Sequence, residues 1–293
     1  ILGFLASIDP GGKYANRPVN SLTTIFLPWL PQTCAPVSKR KVAVSTLINE
    51  YPDHGWQLLV NLIPQNQQSS SGSHKPKYRK FINDTWSKEI SNKEYYDQIS
   101  MYSELLVSLA SKDSKKMKQL IEYLHRIPVN QLNKILKILN QKKYENLKRK
   151  EKLGLWSELN KFVIGQVKYE HTEWTLNNKE IEKIKKTAEK LAPKSILEKY
   201  VPLFSNNDYE LIEEKGDWDE QYEHLEKRRQ KSIKEIFEKS QLKGLIKFVK
   251  SIDAPQKAGF SFGSIAPNEY VVQILPKLLV SSDRVMNSFA KGF

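Results

Sequence analysis

Cysteine is almost missing from this chain: Cys34 stands alone among 293 residues. An internal disulfide is therefore impossible, and a small secreted fold stapled by several bridges is excluded. A cytoplasmic setting is the expectation. Long apolar runs are missing too. No window approaches the roughly 18 uninterrupted apolar residues that a membrane-crossing helix needs, so no membrane partner is expected. The first residues, ILGFLASIDP, lack the basic start and small-residue cleavage site of a secretion signal. Strict apolar/polar alternation over a strand length is scarce, which argues against a sheet.

Reaction motifs are equally sparse. A phosphate cradle needs a glycine-rich turn such as GxxxxGK[ST] or GxGxxG, and neither occurs. DPGGK has glycines and Lys13, but no apolar strand before it and no Ser or Thr after it. His54, His74, His125, His171 and His224 are far apart and none pairs at helical spacing, so no metal site is expected. Cys34, in PQTCAPV, has no base beside it and reads as an inert thiol. Asp217/Asp219 and Glu213/Glu214 pair carboxylates, but acids at that place suit the positive end of a helix dipole. The expectation is a chain without catalytic residues, cofactor or metal, and not an enzyme.

What the sequence does have is helical periodicity and positive charge. Apolar residues recur at three- and four-residue spacing almost throughout, so the fold class is all-α. Met117, Leu120, Ile121, Leu124 and Ile127 form one stripe, and Leu132, Ile135, Leu136 and Leu139 form the next. With IPVN between them they predict an antiparallel helical hairpin. Upstream, NSLTTIFLPWL predicts a helix kinked at Pro28, and Pro52 predicts the first turn of another. Downstream, Leu155, Leu159, Phe162, Val163 and Val167 stripe a helix from about Tyr144 to Tyr169, and Ile181, Ile184, Ala188 and Leu191 stripe one after it. A long charged helix then turns Ile233, Ile236 and Phe237 inward. About a dozen helices with short turns predict an irregular α-solenoid of stacked antiparallel hairpins. Residues 1–81 are read as N-terminal repeats with loop insertions and 82–293 as the continuing repeat region. Both ends interrupt apolar helical patterns, so the chain is expected to be a fragment of a longer protein.

Three segments read as loops. IDPGGKYANRP places Gly11, Gly12 and Asn16 where positive backbone angles are expected, followed by Pro18 and an Asn20 or Ser21 cap. QNQQSSSGSHKPK is flexible by composition. APQKAGFSFGSIAP is a third, glycine-containing loop. In a solenoid such insertions gather on one face, so a protein partner is expected at the loops after Ile8, Ile63 and Ile252.

The net charge of +14 is concentrated: Lys112 to Lys152 holds thirteen Lys/Arg against four acids, and Lys75 to Lys80 holds four cations and no acid. His74, Lys75, Lys77, Tyr78, Arg79 and Lys80 combine cations with an aromatic, which suits phosphate contact and base stacking. Lys142, Lys143, Lys148, Arg149 and Lys150 form the second basic zone, diluted by Glu145 and Glu151. The same residues serve equally as solvated helix faces, so a nucleic-acid-binding helical domain using 75–80 and 142–152 stands as the alternative to protein recognition.

The stretches IDPGGKYANRPVNSLTTIFLPWLPQT and HGWQLLVNLIPQ, followed by HKPKYRKF, carry a resemblance that covers about residues 1–81. They resemble a helical, repeat-like region of very large bacterial proteins, lying downstream of a sirtuin-like or nucleotide-hydrolysing domain. Antiphage-defence sensors are among such proteins. The resemblance implies a recognition and scaffold region that senses a molecule and relays it to an effector domain upstream in the same chain.

Overall fold

A computed structural model of the chain describes residues 1–14, 16–33, 35–65, 90–169, 172, 174–208, 211 and 217–293. Every regular element among them is helical and none is a strand. No described helix is long and apolar enough to cross a membrane. The chain forms two compact units, Ile1–Gln141 and Lys142–Phe293. The boundary at 81/82 read from the sequence lies outside the described residues.

The first unit contains α1 (Leu2–Ser7), α2 (Pro18–Phe26), α3 (Val37–Glu50), α4 (Pro52–Asn61), α5 (Asn92–Ala110), α6 (Ser114–Ile121) and α7 (Val129–Leu139). Pro18 occupies the first turn of α2 behind Arg17, so Asn20 and Ser21 sit inside the helix and do not cap it. Pro28 does not kink α2. The helix stops at Phe26, and Leu27 adopts φ −50, ψ 127, the extended state that a following proline enforces. Two buried side chains of α5 hold this turn: Tyr102 donates its hydroxyl to Phe26 O at 3.0 Å, and Gln98 donates to Pro28 O at 3.1 Å. Tyr51 alone joins α3 to α4, with Pro52 in the first turn of α4 as expected. The two helices cross so closely that a Cβ on Gly55 would fall 2.7 Å from Ile48 Cα.

The stripe from Met117 to Ile127 and that from Leu132 to Leu139 are both buried. They do not make the tight hairpin that their spacing predicts. A 3-10 turn, Leu124–Arg126, separates the helices, and each packs chiefly on α5. A longer neighbour with apolar flanks on two sides offers more area than either short helix offers the other.

The second unit contains α8 (Lys142–Glu145), α9 (Arg149–Lys168), α10 (Asn178–Leu191), α11 (Ile196–Tyr200), a 3-10 turn (Val201–Phe204), α12 (Trp218–Val249), α13 (Pro255–Gly263), α14 (Asn268–Leu279) and α15 (Arg284–Gly292). The helix expected over 144–169 is broken before Arg149, and Val167 is exposed, unlike the rest of its stripe. The stripe of α10 is buried as expected. Gln241 splits α12 with φ 51, ψ −164, at the point where one periodic run gives way to the next.

The segment APQKAGFSFGSIAP is not a loop. Pro255 opens α13 in its first turn, and Phe262 is buried within it. Glycine serves close approach here: a Cβ on Gly259 would collide with Phe289 O, and one on Gly263 would lie 2.6 Å from Phe293 O. With small residues at i and i+4, α13 lies against the backbone of α15, and Phe204, Ile233, Ile236, Phe248, Phe262 and Phe289 fill the core around them. Burying each such side chain contributes about 1.5–3 kcal/mol.

Candidate interaction surfaces

His74, Lys75, Lys77, Tyr78, Arg79 and Lys80 lie outside the described residues. Lys142, Lys143, Lys148, Arg149 and Lys150 are all exposed. The short α8 is anchored by one buried side chain, Tyr144, with the Lys143 ammonium 5.1 Å from its ring centre. Lys148 precedes α9, and Arg149 and Lys150 begin it. Arg149 reaches Glu198 of α11. With the arginine side chain 76% exposed, this pair contributes about 0–1 kcal/mol and serves mainly as a marker of position.

That marker sets the direction of the helices. At the far end of α9, Gln166 accepts a hydrogen bond from Leu176 N at 2.7 Å, just before α10. At the near end Arg149 meets Glu198, just after α10. The two helices are therefore antiparallel, and α8 also packs on α10. The end of α10 that carries Lys190, with Lys194 in the turn after it, thus lies beside the start of α9. At the opposite end a groove of about 350 Å³ is lined by Val167, Asn178, Ile181, Glu182 and Lys185. Its charges cancel, because Lys185 donates to Glu182 at 2.8 Å.

The loop after Ile8 is tied to itself. Gly11 and Gly12 have φ 88 and 128 as expected, whereas Asn16 is not in the positive region. Asp9 accepts from Gly11 N at 3.1 Å and from Arg17 Nε at 2.9 Å. Those two bonds, the backbone one first, hold its carboxyl below the usual range. The loop after Ile63 soon leaves the described residues, and that after Ile252 runs straight into α13.

The densest charged cluster escaped the sequence reading. Arg229 of α12 is 0% exposed. It pairs with Asp208 and Glu226, donates to Leu203 O at 2.8 Å, and stacks its guanidinium 5.9 Å from the Phe204 ring centre. Lys257 of α13 closes the group, donating to Asp208 at 2.6 Å and to Ser205 O at 2.9 Å. Burial pushes the Asp208 carboxyl upward, but the hydrogen bonds from Arg229 and Lys257 outweigh it and leave the pKa lowered. Two cations against two carboxylates make a neutral knot that binds residues 201–208 to α12 and α13. A signal was present: Arg229 falls on the core stripe of Leu225, Ser232, Ile233 and Ile236. Asp217, by contrast, caps α12 by accepting from Asp219 N and Glu220 N, the helix-start role expected of it. Glu213 and Glu214 lie outside the described residues.

A different surface is formed by α14. It reads NEYVVQILPKLL, apolar on both flanks, yet none of its residues is buried. Tyr270 packs edge-on against Phe237, and Leu278 leans on the core. On the other flank Val272, Leu275 and Leu279 follow one another at helical spacing, with Val272 75% and the following Val280 85% exposed. No family model, curated protein or solved structure matches the chain.

Proposed function

We propose that this chain is a non-catalytic helical recognition and scaffold region of a larger bacterial protein, and that it binds a protein partner. The observation that supports this is α14. A helix with apolar residues on both flanks is normally covered on both by its neighbours, and α14 leaves Val272 and Leu279, with Val280 just after it, exposed and Leu275 only partly covered. Exposed apolar stripes of this kind mark protein contacts. An irregular α-solenoid belongs to the same reading, since stacked helices leave one outer helix face for docking. The resemblance of residues 1–81 extends it to the sensing part of a defence protein whose effector domain lies upstream.

A photo-crosslinking residue at position 272 tests the proposal, with position 42 as the control because Val42 is also exposed. In bacterial cells expressing the protein, position 272 should yield an adduct of discrete mass and position 42 should not. No adduct at 272, or the same adducts at both, would overturn the docking face. Turnover of a nucleotide or a nucleic acid by the purified chain would overturn the non-catalytic part.

A further inference from the structure

Basic residues that are scattered in sequence come together at one end of the α9–α10 pair. Lys142 belongs to α8, Lys148 and Lys150 flank the start of α9, Lys190 comes from the end of α10 that lies beside it, and Lys194 from the turn that follows. All five are exposed, and none of them has an ion-pair partner among the described residues. Of the carboxylates nearby, Glu198 is engaged by Arg149. Glu145, Glu151 and Glu189 at the same end dilute this charge without outnumbering the lysines, so the field stays positive, in contrast with the neutral knot around Arg229.

We infer that this end of the α8–α10 group is a docking surface for the phosphodiester backbone of a nucleic acid. Protein interfaces are depleted of lysine and are built on buried aromatic or aliphatic anchors. Here the cations surround no exposed apolar anchor, since Tyr144 is buried and Val167 lies at the other end of α9. Lysine acts as a point charge on phosphate without reading base edges, so contact is independent of sequence. Neutralised phosphates release counterions, and the affinity then falls as salt rises with a slope of about −0.9 per phosphate on duplex DNA. Five lysines predict a total slope of about −4 to −5. The inference stands apart from α14, and either surface can fail without the other.

Fluorescence anisotropy of the full chain with a labelled DNA duplex, titrated from about 50 to 200 mM salt, is the test. The quadruple variant Lys148→Ala, Lys150→Ala, Lys190→Ala, Lys194→Ala should flatten the slope by about 3 to 4 and weaken binding at least tenfold at the lowest salt. Its melting curve should match the parent, because only exposed side chains change. A control that removes the same charge at Lys39, Lys41, Lys134 and Lys137, all exposed on the first unit, should bind as the parent does. Undiminished binding by the first variant, equal loss in both, or a flat salt response would each overturn the assignment. Polyglutamate competing as well as DNA at equal charge would also overturn it, in favour of an acidic protein.

Discussion

Replacing Gly259 with alanine adds one methyl group to α13, at a place where the neighbour is backbone. The new Cβ would collide with Phe289 O and lie 3.0 Å from its carbonyl carbon. A backbone carbonyl cannot rotate away as a side chain could, so α13 and α15 must separate. Separation opens the layer where Phe262 stacks on Phe289 at 6.1 Å and meets Phe293 edge-on at 5.3 Å. Overpacking of this kind costs about 1–3 kcal/mol, and immovable atoms on both sides put it in the upper half. Alanine restricts the unfolded chain and returns about 0.4–1 kcal/mol. The net loss is about 1–2.5 kcal/mol, a melting point lower by about 2–10 °C for a unit of this size. Gly165→Ala is the control. Gly165 lies inside α9 with nothing within 4 Å of its built Cβ, so alanine there should stabilise the same unit by about 1 kcal/mol. Calorimetry of both variants gives two shifts, with hydrogen exchange assigning them to residues 142–293. The same substitution must act with opposite sign at the two positions; a Gly259→Ala protein as stable as the parent would refute the close approach of α13 and α15.

Further outcomes follow from particular residues. Arg229→Met leaves Glu226 and Asp208 without their shared cation and should cost about 3–5 kcal/mol in urea denaturation; Arg229→Lys should recover only part, since an ammonium cannot span Leu203 O and both carboxylates. Because Asp208 titrates below its ordinary 3.8 in the folded state, its contribution is complete above that value and drains as the pH falls through the lowered one, so acid should loosen the 201–208 segment first. His125 accepts from Arg126 Nε at 2.9 Å, and burial, then the Arg126 charge, push its pKa down to about 4. The unfolded chain takes up a proton near 6.5 that the folded one refuses, so the first unit should lose stability between those values; an NMR titration midpoint at the ordinary value would contradict this. Gln241→Gly should raise the melting point, relieving about 1–3 kcal/mol of backbone strain at φ 51, ψ −164, and an unchanged or lower value would argue against that backbone.

Helical character was legible wherever an apolar stripe repeats, as in Ile181, Ile184, Ala188 and Leu191, because period and burial have the same cause. Partners were less legible. The 117–127 and 132–139 stripes were read correctly as buried, but nothing local says that both lean on α5, which begins twenty residues or more before them. Glycine misled in α13: Gly259 and Gly263 carry loop character as isolated residues, and only the presence of α15 turns them into a packing seam. The five basic residues described from the second zone were placed on the surface, yet Lys190 and Lys194 were missed. Their nearness depends on the antiparallel path of α9 and α10, fixed by Gln166 at one end and Glu198 at the other. Arg229 was missed for a similar reason, since charge suggested a solvated face while its register placed it on the core side.

The two surfaces of the second unit differ in physical kind, and salt separates them. Contact through Val272, Leu275 and Leu279 would bury apolar area, which salt does not screen and which excluded salts such as sulfate strengthen. Contact through Lys142, Lys148, Lys150, Lys190 and Lys194 would weaken as the Debye length shrinks from about 30 Å at 0.01 M to about 10 Å at 0.1 M. A partner held by α14 should therefore persist in salt that releases a polyanion from the α8–α10 end. Val272→Asp should remove the first while leaving the salt slope of the second unchanged. If a single substitution on α14 abolished both, the surfaces would be one site, and the separate charge argument would fail.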